Sequence, residues 1–140
     1  MPQSVHDWLV DRLAERKGFS RFAKDNGYEI AKNYTDKKTR HIGNDDDRIW
    51  PDVIVFDPKT KGQPAKRIGE VEIEDTVTID HAKGHWDVYV SRVSDFILAV
   101  PKSSAKDANK ILDDLKVTCK LWLYEVKRDE QGKPVDVEFS

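Results

Sequence analysis

The sequence contains a single cysteine and no long apolar run. Cys119 has no partner within the chain, which excludes an internal disulfide and any metal site built from several cysteines. No apolar stretch approaches the roughly 20 residues of a membrane-spanning helix, and the N-terminus lacks the apolar core of a signal peptide. From these absences we expect a cytoplasmic protein with no membrane partner.

Apolar residues are scarce, at 38% of the 140 residues, whereas charged residues make up 36%. The apolar residues nevertheless fall in periodic blocks, which is the pattern of a folded chain. This length suits one domain, so we predict a single domain over residues 1–140. The formal net charge of −2 does not indicate a nucleic-acid binder. The excess of Lys and Arg between Arg12 and Arg40 is more often solvated surface than a binding site.

The first helix is predicted from a cap and an apolar stripe. Ser4 is in an N-cap position with Asp7 three residues later, and Gly18 ends the pattern. The stripe consists of Val5, Trp8, Leu9 and Leu13. Helical spacing therefore predicts that Trp8 is part of the core. A short second helix, or a continuation of the first, follows over "SRFAKDNG".

A longer helix is predicted in the middle of the chain. It begins at Thr76 or Thr78 and runs to about Arg92. Its apolar stripe consists of Ala82, Trp86, Tyr89 and Val93. Gly84 lies inside this helix, where glycine costs about 1 kcal/mol relative to alanine.

The last helix and the strands complete the predicted elements. The helix covers residues 103–115, where Ser104 and Asp107 have the spacing of a capping box. Strands are predicted over residues 28–34, 52–57, 67–75, 95–100, 117–126 and 135–139. Three consecutive strands predict an antiparallel meander, and the later βαβ units predict parallel pairs. The class is therefore α/β, with a mixed central sheet flanked by helices on both faces.

Acidic residues alternate along the strand predicted at residues 67–75. Successive strand side chains point to opposite faces, so Glu70, Glu72 and Glu74 share one face at intervals of about 6–7 Å. A solvated face is the commoner explanation of such a pattern. Here Asp52 opens the preceding buried strand, and a short hairpin makes the two strands antiparallel neighbours. We therefore predict that Asp52, Glu70 and Glu72 converge, and that Glu74 is solvated.

Neighbouring carboxylates repel one another, and burying them unpaired is costly, so this arrangement needs a cation or protons. Mg²⁺ takes oxygen ligands at about 2.0–2.1 Å, usually one or two carboxylates with water and substrate phosphate. Such an ion activates water and stabilises charge on a phosphoryl group under attack. The acids therefore predict a Mg²⁺ site, in which Mn²⁺ can substitute, and no organic cofactor.

Two short motifs and the order of elements resemble one known family. "PD" at residues 51–52, "GEVE" at residues 69–72 and the order αβββαβ are similar to the PD-(D/E)XK nuclease superfamily, which includes restriction endonucleases, Holliday-junction resolvases and recombination exonucleases. The likeness covers residues 4–101. It implies a restriction-endonuclease-like core with an added helix and strand, and it implies that Asp52 and Glu70 are metal ligands.

Glu72 departs from the family pattern, which has a catalytic lysine at this position. Some type II restriction enzymes of the superfamily have glutamate there and remain active. The resemblance then implies that Glu72 is a catalytic residue and a third metal ligand. Other members place the lysine on the following helix, where Lys83 is available, although a surface lysine is the commoner case. A third alternative is a site that has lost its activity.

The resemblance also suggests residues on two helices. The first helix of the family often adds an acid, for which His6, Asp7 or Asp11 could serve. His85 and Tyr89 lie four residues apart and resemble the Gln-x-x-x-Tyr pair of exonuclease-like members. Solvent exposure and ordinary packing are the commoner explanations for both sets.

The function implied by these features is metal-dependent hydrolysis of DNA phosphodiester bonds by an endodeoxyribonuclease. Lys37, Lys38 and Arg40 lie in the polar loop before the Asp52 strand, and we expect them to contact DNA phosphates near the site. A homodimer is expected if both strands are cut. One fold hosts many functions, so two alternatives stay open. They are an inactive nuclease-fold protein that binds nucleic acid or a protein partner, and an α/β interaction domain with no nucleic-acid role.

Overall fold

A six-stranded mixed sheet forms the centre of the protein in a computed structural model that describes residues 3–140. The strands are β1 (Glu29–Lys32), β2 (Val53–Phe56), β3 (Ala65–Val71), β4 (Phe96–Pro101), β5 (Lys120–Arg128) and β6 (Pro134–Phe139). They lie side by side in chain order. β1, β2 and β3 are antiparallel, β3, β4 and β5 are parallel, and β6 returns antiparallel to β5. The predicted meander and parallel pairs are confirmed.

Helices cover both faces of the sheet, as the sequence predicts. One face packs against α1 (Val5–Glu15) and α2 (Ser20–Asn26). The other face packs against α3 (Ile79–Ala82), α4 (Trp86–Arg92) and α5 (Ala105–Leu115). β2 and β4 are buried along their whole length because they lie inside the sheet between the two layers. Within the described residues, no helix has the length and apolar character needed to cross a membrane.

The helix α1 begins as predicted and buries most of the predicted stripe. The Ser4 hydroxyl accepts a hydrogen bond from the Asp7 N–H at 3.1 Å, which confirms the cap. Leu9 and Leu13 are fully buried, whereas Trp8 is half-buried and packs against the same core cluster from its edge. The buried stripe also contains Val10, and the Trp8 indole lies beneath the Arg12 guanidinium at 5.3 Å.

The single helix predicted up to Arg92 is wrong, because the chain breaks into α3 and α4. Gly84 adopts φ +86°, a left-handed conformation that cannot continue a right-handed helix and that favours glycine. The Thr78 hydroxyl caps α3 by accepting the His81 N–H at 3.2 Å. The predicted stripe is nevertheless buried throughout: Ala82, Trp86, Tyr89 and Val93. The break places His85 immediately before α4.

Two other predicted boundaries also differ from the structure. Ser104 ends a 3₁₀ turn and makes no side-chain cap, so the predicted capping box with Asp107 is wrong. β3 ends at Val71, four residues before the predicted end. Glu72 follows β3 and still donates its N–H to the Ala99 carbonyl at 2.9 Å, so it keeps its place beside the sheet. Glu74 opens a second 3₁₀ turn and is exposed, as predicted.

We expect Gly69→Ala to weaken the fold, because Gly69 leaves room for the aromatic ring of Phe19. A Cβ at this position would lie 2.5 Å from Phe19 Cζ and 3.2 Å from Leu13 Cδ2. Overpacking of this kind costs about 1–3 kcal/mol of unfolding free energy, measurable by urea denaturation. Phe19→Leu is the matched control, because it removes the ring that the new Cβ would meet. Gly69→Ala should therefore lower the unfolding free energy less in the Phe19→Leu background than in the wild type. An equal cost with and without Phe19→Leu would contradict the close approach.

Candidate metal centre

Three acids from neighbouring parts of the sheet meet on one face. Asp52 immediately precedes β2, Glu70 lies in β3, and Glu72 directly follows it. The Asp52 N–H donates to Glu70 Oε1 at 3.0 Å, and the Val71 N–H donates to Asp52 Oδ2 at 2.8 Å. These bonds follow from the antiparallel pairing of β2 with β3. The three residues are only 5%, 6% and 2% exposed in this order, so the structure brings the predicted carboxylates together and buries them.

The three carboxylates line a cavity of about 540 Å³. One wall is the loop of residues 33–52 between β1 and β2, which contributes Thr35, Lys38, Arg48, Ile49 and Trp50. The opposite wall comes from the α3–α4 region, which contributes His81, Gly84, His85 and Tyr89. The acids are therefore buried and border a cavity lined by the loop and by the helices.

The three carboxylates repel one another when no proton or cation is bound beside them. Burial, followed by the nearby charges of Asp52 and Glu72, raises the pKa of Glu70 well above its usual range. Burial also raises the pKa of Glu72, although hydrogen bonds and the His81 imidazole offset part of this effect. The site at neutral pH therefore needs a proton or a cation to stabilise the carboxylates.

Two histidines and a tryptophan form the helical side of the site. His81 Nε2 lies 3.2 Å from Oε1 and 3.1 Å from Oε2 of Glu72, and Trp86 Nε1 donates to Oε1 at 3.3 Å. The rings of His81 and His85 are stacked, with centroids 4.3 Å apart. Burial and the neighbouring His81 lower the pKa of His85. The buried Nδ1 of His85 has no hydrogen-bond partner among the described residues.

His6, at the start of α1, provides a cation next to Asp52. Its Nε2 lies 3.2 Å from Asp52 Oδ2, and its Nδ1 lies 3.1 Å from Asp7 Oδ1. Burial lowers the pKa of His6, but the hydrogen bonds and charges of the two acids outweigh it and raise the pKa to about 9. Asp7 also accepts hydrogen bonds from the Thr35 N–H and hydroxyl at 2.9 Å. His6 therefore places a positive charge beside the Asp52 carboxylate.

No protein-family model, curated protein or solved structure matches this chain.

The structure brings some of the other candidates to the acids and separates the rest. His85 and Tyr89 line the cavity, with ring centroids 5.8 Å apart. Burial and the charges of the three acids raise the pKa of Tyr89. Lys83 is exposed at the end of α3 and does not line the cavity. Asp11 instead binds Lys32 and Tyr34.

Of the three basic residues predicted in the loop, only one lines the cavity. Lys38 lines the cavity, whereas Lys37 is exposed outside it. The guanidinium of Arg40 lies 3.5 Å from the centre of the Phe56 ring, at the end of β2 opposite to Asp52. The expectation that all three residues lie near the acids is therefore wrong for Arg40, because cation–π packing holds its side chain elsewhere.

Sequence reasoning missed several residues that the structure places at the site. Arg48 and Trp50 line the cavity but belong to no local pattern. His81 had a usable signal, since His81, His85 and Tyr89 are spaced at intervals of four in a segment predicted as helix.

The donor set fits a hard divalent cation held by few protein ligands. Within residues 3–140, no group of three or more His, Cys, Asp and Glu side chains forms a ready-made metal site. Mg²⁺ needs only one or two carboxylates, because water and phosphate complete its coordination. Asp52 and Glu70 meet this requirement, since they are adjacent, buried and open to a cavity on one side.

We expect Glu70→Gln to stabilise the metal-free protein at neutral pH by about 1 kcal/mol or more. The amide removes a buried charge, and its oxygen still accepts the Asp52 N–H. The folded-state pKa of Glu70 lies above the unfolded value of about 4.3, so the folded protein binds the proton more tightly. The contribution of Glu70 to the free energy of unfolding is therefore fully present at low pH, where Glu70 is protonated. It is lost as the pH rises through the folded-state pKa.

Urea denaturation in EDTA between about pH 5 and pH 7 measures this difference, which should grow with pH. Glu74→Gln, at an exposed position, is the control and should change stability by less than about 0.5 kcal/mol. If Glu70→Gln is destabilising at pH 7 in EDTA, the carboxylates of the folded protein do not repel one another as we infer.

Proposed function

We propose that this protein is a Mg²⁺-dependent nuclease that hydrolyses DNA phosphodiester bonds. The observation that supports the proposal best is the pair of buried carboxylates, Asp52 and Glu70, side by side at an open cavity with Glu72 beside them. Buried like charges cost stability, and such a cost is common at functional sites.

The position of these acids in the fold is a second support. "PD" precedes the middle strand of an antiparallel meander, and "GEVE" lies at the end of the next strand. A helical crossover and a parallel strand follow. This order agrees with the restriction-endonuclease-like core that the motifs imply, so we include that core in the proposal.

Different residues of the chain have different roles in the proposed hydrolysis. Mg²⁺, when bound by Asp52 and Glu70, supplies positive charge that activates water and stabilises the attacked phosphate. His6 places a positive charge beside Asp52, and Glu72, held by His81 and Trp86, presents a carboxylate that can orient the attacking water. Water adds across the P–O bond, so one product ends in a phosphate and the other in a hydroxyl.

One observation favours the alternative of an inactive, nucleic-acid-binding protein. Both Asp52 and Glu72 already have histidine partners, so part of the negative charge is compensated without a metal. The alternative differs from the proposal in a measurable way, because it predicts binding of DNA with no metal-dependent cleavage.

Nicking of plasmid DNA in Mg²⁺ or Mn²⁺ tests the proposal. Asp52→Asn and Glu70→Gln should each lower the rate about 100-fold or more, because the ion supplies several kcal/mol of transition-state stabilisation. Glu72→Ala should also be damaging, and Glu72→Lys should not restore activity, because an ammonium would repel the ion. Lys83→Ala is the matched control and should have little effect, since Lys83 is exposed outside the cavity.

Calorimetric titration with Mg²⁺ provides a readout that does not depend on cleavage, and Asp52→Asn and Glu70→Gln should each weaken the binding. A wild-type protein that neither binds the ion nor nicks DNA would overturn the proposal. A large loss of nicking activity in Lys83→Ala, together with full activity in Glu72→Ala, would instead show that Lys83 at the end of α3 serves as the catalytic lysine.

Lys38 and Arg40 should differ in their effect on DNA binding. Lys38→Gln removes a cation that lines the cavity, so the slope of log affinity against log salt should flatten by about 0.9. Arg40→Gln is the matched control and should leave the slope unchanged, because its guanidinium packs on Phe56. The measurement is fluorescence anisotropy of a labelled duplex in Ca²⁺ at several salt concentrations. Equal slopes for the two variants would contradict this division.

A further inference from the structure

Trp50 presents a large aromatic side chain to the cavity that holds the acids. The residue is half-buried, and its side chain lines the cavity together with Asp52 and Glu70. The imidazole of His41 supports the indole, with ring centroids 5.0 Å apart and a tilt of 57°. A tryptophan used only for packing would be covered by apolar neighbours, whereas this one forms part of the wall of an open, charged cavity.

The backbone of the loop that carries Trp50 is anchored by a buried side chain. Asn33 is fully buried at the end of β1, and its side-chain amide donates to the carbonyls of Arg40 and Pro51 at 2.6 and 2.7 Å. Its Oδ1 accepts the N–H groups of Thr39 and Arg40. Pro51 restricts the backbone between Trp50 and Asp52. The backbone that carries the indole is therefore anchored beside the candidate metal ligands.

Two cations lie on the same wall as Trp50. Lys38 is exposed, and Arg48 makes an ion pair with Asp45 in which the side chains are 43% and 89% exposed. A surface pair of this kind contributes little, so Arg48 can exchange Asp45 for a phosphate at low cost. Arginine is well suited to this exchange because its planar fork binds phosphate oxygens in pairs.

An aromatic side chain that lines a cavity together with two cations matches the chemistry of one nucleotide, which has a base and a phosphate. Bases stack on aromatic side chains, whereas the bases of an uninterrupted duplex are covered on both faces by their neighbours. We propose that Trp50 is a stacking platform for an unpaired base next to the scissile phosphate, so that the protein prefers single-stranded DNA over an uninterrupted duplex. This inference rests on the proposed nuclease function and adds the substrate class.

Binding in Ca²⁺ without cleavage tests the inference separately from activity. The probes are a fluorescein-labelled single-stranded DNA, its duplex and the RNA of the same sequence, measured by anisotropy. The single-stranded DNA should bind most tightly. Trp50→Ala should weaken its binding by about tenfold or more, the usual effect of losing one base–aromatic stack, and should leave duplex binding unchanged. Trp50→Phe should recover most of the affinity, because phenylalanine also stacks.

Trp8→Ala is the matched control, since Trp8 is a half-buried tryptophan outside the cavity, and it should leave all three affinities unchanged. Equal binding of single strand and duplex, or an equal loss for both in Trp50→Ala, would overturn the stacking role. Tighter binding of the RNA would overturn the assignment to DNA. Failure of the nuclease proposal is a different result, since it appears as absence of metal-dependent nicking whatever the outcome of these binding measurements.

Discussion

The repulsion among three buried carboxylates is the interaction on which the site depends. The sheet imposes it, because the pairing of β2 with β3 places Asp52 next to Glu70, and the chain keeps Glu72 on the same face. Elements outside the sheet then supply the compensation. His6 comes from α1 and His81 from α3, which pack on opposite faces of the sheet. Both helical layers therefore contribute a histidine to the acids at the beginning of β2.

The fold remains stable despite the repulsion among the buried carboxylates because the surrounding apolar core is extensive. β2 and β4 are buried along their whole length, and apolar clusters pack on both faces of the sheet. Burial of apolar surface stabilises a domain by about 25 cal/mol per Å², so a core of this kind tolerates one unfavourable cluster. The acids lie where β2 begins and β3 ends, at the edge of these clusters. A ligand can therefore reach them without opening the core.

Period-two patterns and short connections were readable in the sequence, and the contacts between distant side chains were not. The convergence of Asp52 and Glu70 follows from a two-residue repeat and a hairpin, both of which are local features. The break at Gly84 was hidden, because the buried stripe continues through it and only the left-handed backbone shows it. The contact of His6 with Asp52 joins residues that are 46 positions apart, and no local pattern encodes such a contact.

The three acids differ in whether a histidine offsets their negative charge, and this difference bears on where the proposed cation would bind. Asp52 has His6 and Glu72 has His81, whereas no ion pair reaches Glu70 from any residue between 3 and 140. Burial and the charges of its two neighbours also raise the pKa of Glu70 well above its usual range. In the proposed nuclease, a cation between Asp52 and Glu70 would relieve the repulsion between these two acids directly. The proposal therefore assigns a single ion to the Asp52–Glu70 pair and leaves Glu72 to orient the water.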